Sequence, residues 1–262
     1  MNDSHLQKLV LLISLLSILA GCNQNTSPPN EQSHSDSTKT SAGTPIDPTT
    51  TGSISGTISF IGTPPPRATI DMDMDPGCAL AAKGPNLAEA VVVNQGKLEN
   101  VFVYVKDGLE SYAVPKPAQP AALDQVGCRY TPHVLGLVAG QTLRILNSDN
   151  TMHNVHPVPK NNPQWNESQM PKGEPKERTF ANPELLLPIT CNQHPWMKMY
   201  VNVVSNPFFA VSDDKGNFSI QGLPPGKYTI AAVHEKLGTQ EMKITVAPRQ
   251  NQAVSFVFNN NK

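Results

Sequence analysis

Three residues of one short segment, Cys191, His194 and Met197, supply a thiol, an imidazole and a thioether. Their spacing, C-x2-H-x2-M, allows three side chains of a single loop to converge on one point. These are soft ligands, and a plane of two histidines and one cysteine with a weak axial methionine is the donor set of a type 1 copper site. Zinc would favour a fourth strong ligand in place of methionine. The segment therefore predicts copper and requires a second histidine from elsewhere.

The second histidine is available upstream, where His153 is followed by Asn154 and Val155. A strand-like segment at 141–147 leads towards it from Gly140. The pattern G-x-T-x4-N before HNV, followed by C-x-x-H-P-aromatic-M, resembles the cupredoxins, the type 1 blue copper proteins, and within them most closely the amicyanins. Plastocyanins have a longer C-x2-H-x4-M loop. The resemblance covers roughly residues 97–205 and is weak outside the two motifs.

The resemblance implies a role for each residue of these motifs. The implied copper ligands are His153, Cys191, His194 and Met197, with Asn154 joining the two ligand segments by hydrogen bonds and the edge of His194 exposed in an apolar patch beside Pro195 and Trp196. In cupredoxins, electrons enter and leave through such a patch. The implied function is the transport of single electrons between redox protein partners, and not an enzymatic reaction.

Two positions depart from the cupredoxin pattern. Met199 offers the plastocyanin spacing, so that either Met197 or Met199 serves as the axial ligand. We prefer Met197 because the His-Pro-aromatic-Met loop matches as a unit. Ile189 stands where cupredoxins usually have an aromatic residue, two positions before the cysteine. Two other functions remain open: a copper-buffering lipoprotein without electron transfer, and a structural surface β-sandwich with a vestigial metal site.

The N-terminal segment has the features of a secretion signal. Residues 9–21 form an apolar run behind Lys8, too short to cross a bilayer as a helix, which needs about 20 residues. The run ends Leu-Ala-Gly before Cys22, which resembles the bacterial lipobox and implies lipidation of Cys22. Residues 1–21 are thus expected to be a signal peptide and residues 22–52, which lack aromatic side chains, a disordered tether. The expected location is the bacterial cell envelope, at the periplasmic face or outer membrane, with membrane contact only through the lipid.

Cys78 and Cys128 are the two cysteines left over. In an oxidising compartment two such cysteines most simply form a structural disulfide, and neither belongs to a CxxC motif. The alternative is a pair of buried free thiols.

Composition excludes other classes of protein. The chain has 262 residues and a formal net charge of −1, so that no basic surplus indicates nucleic-acid binding. With 25 prolines and 17 glycines it suits short strands and many turns, and neither a coiled coil nor a collagen.

The expected fold is all-β, a cupredoxin-like Greek-key β-sandwich plus a smaller transthyretin-like β-sandwich. The stretch SDDKGNFSIQGLPPGKYTIAAVHEKLG resembles the carboxypeptidase-regulatory, transthyretin-like module, and GSISGTISFIG resembles its first strand. Long loops are expected at 107–127 and 157–178. Predicted strands cover 53–61, 68–72, 90–93, 100–106, 133–138, 141–147, 152–156, 184–190, 199–204, 208–211, 217–220, 227–233, 241–246 and 253–258. Predicted divisions are N-terminal strands at 53–96, shared with the C-terminal module, a cupredoxin-like domain at 97–205 and the module at 206–259.

Overall fold

The computed structural model of the protein describes residues 43–81 and 84–260. The expected signal peptide, Cys22 and most of the expected tether lie outside these residues. In chain order the strands are β1 (Thr44–Pro45), β2 (Gly52–Ile61), β3 (Val93–Asn94), β4 (Lys97–Leu98), β5 (Phe102–Asp107), β6 (Tyr112–Ala113), β7 (Ala121–Gln125), β8 (Tyr130–Thr131), β9 (Val134–Val138), β10 (Thr142–Asn147), β11 (His153–Pro157), β12 (Glu167–Gln169), β13 (Lys176–Thr179), β14 (Glu184–Thr190), β15 (Lys198–Val204), β16 (Phe209–Val211), β17 (Asn217–Leu223), β18 (Gly226–His234), β19 (Gly238–Val246) and β20 (Asn251–Asn259). One helix, α1 (Pro76–Ala81), lies within the described part.

The first sandwich joins strands from both ends of the described chain. Strand β2 pairs with β17 on one edge and with β20 on the other, and the facing sheet has the order β16-β5-β18-β19. Alternation explains the packing, because successive side chains of a strand point to opposite faces. Val103 and Val105 of β5 enter the core beside Ile54 and Ile58 of β2.

The second sandwich is built from strands that lie between β5 and β16 in the sequence. Its two sheets have the orders β13-β10-β7-β8 and β12-β11-β14-β15-β9. Two of the pairings, β10 with β7 and β15 with β9, are parallel, so that the chain crosses between layers. Leu123, Ile145, Leu187 and Val201 fill the core between the sheets. The outer face of β5 packs on this sandwich, where Phe102 contacts Val134 and Val204.

The prediction of an all-β fold with two sandwiches is confirmed. Most strands lie within a few residues of the predicted bounds, and 184–190 matches β14. The predicted strand at 68–72 is wrong, and the predicted loops 107–127 and 157–178 contain the short strands β6, β7, β12 and β13. Strand β13 is exposed along its whole length, so it carries no alternation of apolar and polar residues.

Residues 68–81 and 84–88, between β2 and β3, leave the first sandwich and cover part of the second. Their base is held by hydrogen bonds from Ile70 N–H to Asn86 O and from Ala88 N–H to Ala68 O. Met72 and Cys78 are buried in the second core. Among the described residues, no helix has the length and apolar character that spanning a membrane requires.

Candidate metal centre

His153, Cys191 and His194 lie together at one end of the second sandwich. Their donor nitrogen and sulfur atoms are all within 4.8 Å of one another. The Nδ1 atom of His194 lies 2.9 Å from His153 Nδ1 and 3.7 Å from Cys191 Sγ. All three side chains are buried, His153 completely. The sequence motifs that are far apart in the chain thus meet in a buried cluster of two imidazoles and one thiol.

Strand pairing brings the two motifs together. His153 is the first residue of β11, and β11 pairs with β14 through His156 and Thr190. Cys191 directly follows β14, and residues 191–197 form the turn between β14 and β15. Within the turn, Cys191 N–H donates to Met197 O at 3.2 Å and Met197 N–H donates to His194 O at 2.9 Å. The turn is therefore closed by its own backbone.

Both candidate axial methionines are buried in the same core as Cys191. Met197 is the last residue of the turn, whereas Met199 lies within β15 and pairs with Ile189 of β14. The backbone of Met197 is therefore hydrogen-bonded to two other candidate ligands, Cys191 and His194. The backbone of Met199 instead belongs to the pairing of β15 with β14.

Asn154 joins the two segments of the site. Its Oδ1 accepts hydrogen bonds from Asn192 N–H at 2.8 Å and from the Cys191 thiol at 3.3 Å. Its Nδ2 donates to Asn166 Oδ1 at 2.7 Å, and its carbonyl accepts from the Tyr130 hydroxyl. The side chain that the resemblance singled out therefore spans the gap between β11 and the turn.

A carboxylate holds the outer nitrogen of His153. Asp149 Oδ2 lies 2.9 Å from His153 Nε2. The same carboxylate accepts from Gly127 N–H at 2.7 Å and from Cys128 N–H at 2.8 Å. Sequence reasoning missed Asp149, although its position four residues before His153 is a signal that could have found it.

A second carboxylate, also missed, holds the outer nitrogen of His194. Asp75 Oδ2 lies 3.1 Å from His194 Nε2, and His194 is only 3% exposed. The expectation of an exposed histidine edge is therefore wrong, because the edge is buried and lies against the Asp75 carboxylate. Pro195 is exposed, whereas Trp196 is half-buried. The centre of the Trp196 ring lies 5.1 Å from that of His194, with the two rings inclined at 45°, and the Trp196 indole N–H donates to Cys128 O at 3.1 Å.

Cys78 and Cys128 form a disulfide, as the sequence predicted. Cys191 is the free cysteine of the described residues. The thiol that the site needs is thus left unpaired while the other two cysteines are joined.

The electrostatics favour the ionised thiol. Burial opposes the thiolate, but hydrogen bonding to His153 and to nearby backbone lowers the pKa of Cys191 to about 6. Burial likewise opposes the imidazolium, but Asp149 and Cys191 raise the pKa of His153 to about 8. The pKa of the Asp149 carboxyl lies below its ordinary value because hydrogen bonds from His153 and the backbone outweigh burial. A metal ligand must be deprotonated, so that a lowered thiol pKa suits metal binding.

The other histidines near the second sandwich have different partners. His133 Nε2 lies 2.7 Å from Glu235 Oε1, across the two sandwiches. His156 Nδ1 lies 2.8 Å from Asn192 Oδ1. Neither belongs to the cluster of donor atoms.

The donor set fits copper. Two imidazole nitrogens and a sulfur converge in a buried place, with thioethers in the same core, and soft sulfur ligands combined with imidazole select copper over hard cations. Two histidines, one cysteine and a weak methionine ligand would complete a type 1 copper site without a further strong ligand.

No known protein-family profile matches the chain, and neither does any curated protein sequence. Solved structures are similar to parts of it. One, a mutant of amicyanin with Cu(I), is 21% identical over 32% of this chain and 81% of its own, with a TM-score of 0.29. A purple cupredoxin from Nitrosopumilus maritimus is 23% identical over 32% and 98%, with a TM-score of 0.27. A copper-containing nitrite reductase (NirK) from Thermus scotoductus SA-01 is 18% identical over 56% and 28%, with a TM-score of 0.30. These similarities are low, and the assignment of the site rests on its own residues.

Proposed function

We propose that the protein is a lipid-anchored, extracytoplasmic type 1 copper protein that carries single electrons between redox partners. The observation that carries the proposal is the buried convergence of His153 Nδ1, His194 Nδ1 and Cys191 Sγ within 4.8 Å. This is the set of atoms that a trigonal copper plane requires. Met197, on the same turn, is the proposed weak axial ligand.

A bound copper ion supplies reversible one-electron chemistry between its cuprous and cupric states. The chain's own contribution is to hold the ligands still. Asn154 holds the turn beside β11 by accepting from Asn192 N–H, and the backbone bonds between Cys191, His194 and Met197 keep the turn closed. If the ligands move little when the copper ion gains or loses an electron, the reorganisation energy of electron transfer is low. A low reorganisation energy favours the role of an electron carrier.

Asp149 and Asp75 set the tautomers of the two imidazoles. Each carboxylate accepts a hydrogen bond from the Nε2–H of its histidine. The Nδ1 atom of that histidine is then free to serve as the ligand atom. Such outer carboxylates orient a ligating histidine and raise its basicity. The burial of the cluster keeps water from the ligand positions.

The cellular context is a further part of the proposal. The Cys78–Cys128 disulfide suits an oxidising compartment, and the lipobox-like segment before Cys22 supplies an anchor. The first sandwich resembles a transthyretin-like module in sequence, and we assign it the role of a rigid spacer. The partner is a redox protein.

Voltammetry of the copper-loaded full chain tests the electron-carrier proposal. A reversible one-electron wave with fast electron exchange is expected, and Cys191→Ser abolishes it. A chain that binds copper tightly but exchanges electrons slowly is instead a copper-buffering protein. The coverage of His194 favours this second candidate, because the usual edge for electron exchange is closed.

A further inference from the structure

The cover over His194, defined as residues 72–81, makes a specific contact with the metal centre. Asp75 Oδ2 lies 3.1 Å from His194 Nε2, and the His194 side chain is only 4% exposed. The Asp75 carboxylate itself remains about a third exposed. The contact joins residues 119 positions apart, so local chain geometry does not explain it.

Three features hold Asp75 in this position. Its Oδ1 caps α1 by accepting from Gly77 N–H at 2.7 Å and Cys78 N–H at 3.1 Å. Met72, before it, is buried in the second core. After it, Cys78 is joined covalently to Cys128. The chain on either side of Asp75 is therefore held in place, by burial of Met72 before it and by the disulfide of Cys78 after it. The helix cap fixes the rotamer of the Asp75 side chain.

The cover also lies tightly against the loop that leads to His153. A Cβ atom on Gly77 would lie 2.4 Å from Thr151 Oγ1, so the helix start approaches closer than any side chain allows. The far end of the disulfide serves the same centre, because Cys128 N–H donates to the Asp149 carboxylate that holds His153. One disulfide therefore lies beside the outer carboxylates of both histidines.

We propose that Asp75 is a positioning residue for His194, and that the cover, anchored by the Cys78–Cys128 disulfide, closes the histidine edge to solvent and to partners. Asp75 accepts the Nε2 proton and so holds His194 with Nδ1 turned towards His153. The inference deepens the proposed copper function and rests on it only for the metal. In the metal-free protein the same contact positions the His194 imidazole, whether or not copper binds.

Three variants separate the histidine contact from the helix cap. Asp75→Ser keeps a capping hydroxyl but is too short to reach His194. Asp75→Asn keeps the shape of the side chain and one oxygen for the cap, but places a donor, its Nδ2 amide, opposite His194 Nε2–H and so loses the contact. Asp73→Ser, a matched change at an exposed carboxylate of the same segment, is the control.

The first measurement is solvent exchange of the His194 Nε2 proton by nitrogen-15 NMR of the metal-free full chain. The parent chain and Asp73→Ser are expected to show a protected proton, and Asp75→Ser and Asp75→Asn a proton that exchanges at least about tenfold faster. Protection retained in Asp75→Ser overturns the proposal. Loss of protection in Asp73→Ser overturns it too, since the effect would then not belong to the Asp75 contact.

The second measurement is the affinity for cupric ion alone, by competition with a chelator. Asp75→Ser is expected to bind about 10- to 100-fold more weakly and Asp73→Ser within twofold of the parent. An unchanged affinity in Asp75→Ser overturns the positioning role. If the parent itself fails to bind copper, the proposed function fails, while the proton measurement still decides the role of Asp75.

Discussion

The Nδ1 atoms of His153 and His194 face each other at 2.9 Å, although 41 residues separate them in the chain. The two rings are inclined at 70° with their centres 4.8 Å apart. Pairing of β11 with β14 produces this arrangement, because it sets the start of one strand beside the turn that follows the other. Each ring is fixed from behind by a carboxylate, Asp149 or Asp75.

Substitution of the methionines distinguishes the two candidate axial ligands. Met197→Leu is expected to change the visible spectrum of the copper-loaded protein and to raise its reduction potential, because a thioether donor to cupric ion is lost. Met199→Leu is the matched control, because leucine and methionine have nearly equal volumes. It should lower the free energy of unfolding by less than about 1.5 kcal/mol and leave the visible spectrum unchanged. The reverse pattern would assign the axial position to Met199.

Asn154→Ala removes the link between β11 and the turn. The buried amide accepts from Asn192 N–H and donates to Asn166 Oδ1, so its loss should lower the free energy of unfolding of the metal-free protein by about 1–3 kcal/mol. Denaturant titration measures this value. Asn150→Ala, at an exposed asparagine of the loop before His153, is the control. Equal effects of the two substitutions would count against the linking role.

The Cys191 thiol is expected to ionise near pH 6 in the metal-free protein, as followed by thiolate absorbance in a Cys22→Ser background. Its folded-state pKa lies below the ordinary value of 9.0, so ionisation adds to stability above about pH 9. That contribution is lost as pH falls through about 6. His153→Ala should raise the pKa by about one unit or more, and His156→Ala should not. A midpoint near the ordinary value in the parent chain would contradict the proposed coupling.

Removal of the disulfide by the double substitution Cys78→Ala and Cys128→Ala should lower the free energy of unfolding. The bridge spans 50 residues, and a loop of this length corresponds to about 4 kcal/mol in the chain-entropy account. Equilibrium unfolding of the parent and the double variant measures the difference. Treatment of the double variant with a dithiol should cause no further loss. A difference below about 1 kcal/mol would show that the bridge does not constrain the unfolded chain.

Residues close in sequence made much of the site predictable. The spacing of Cys191, His194 and Met197 is local, and alternation in segments such as 100–106 shows which strands have buried faces. Asp75 was not predictable, because its partner lies 119 residues away and no pattern connects them. The cover was missed for a related reason. Helix α1 is only six residues long, too short for a helical period to show, and a cap and a disulfide hold it in place.

Titration of the metal-free full chain with cupric ion tests the central claim most directly. The account predicts one equivalent of copper bound with an intense visible absorption from thiolate-to-copper charge transfer, and loss of that absorption in Cys191→Ser, His153→Ala and His194→Ala. Binding of no stoichiometric copper, or an absorption that persists in Cys191→Ser, would contradict it.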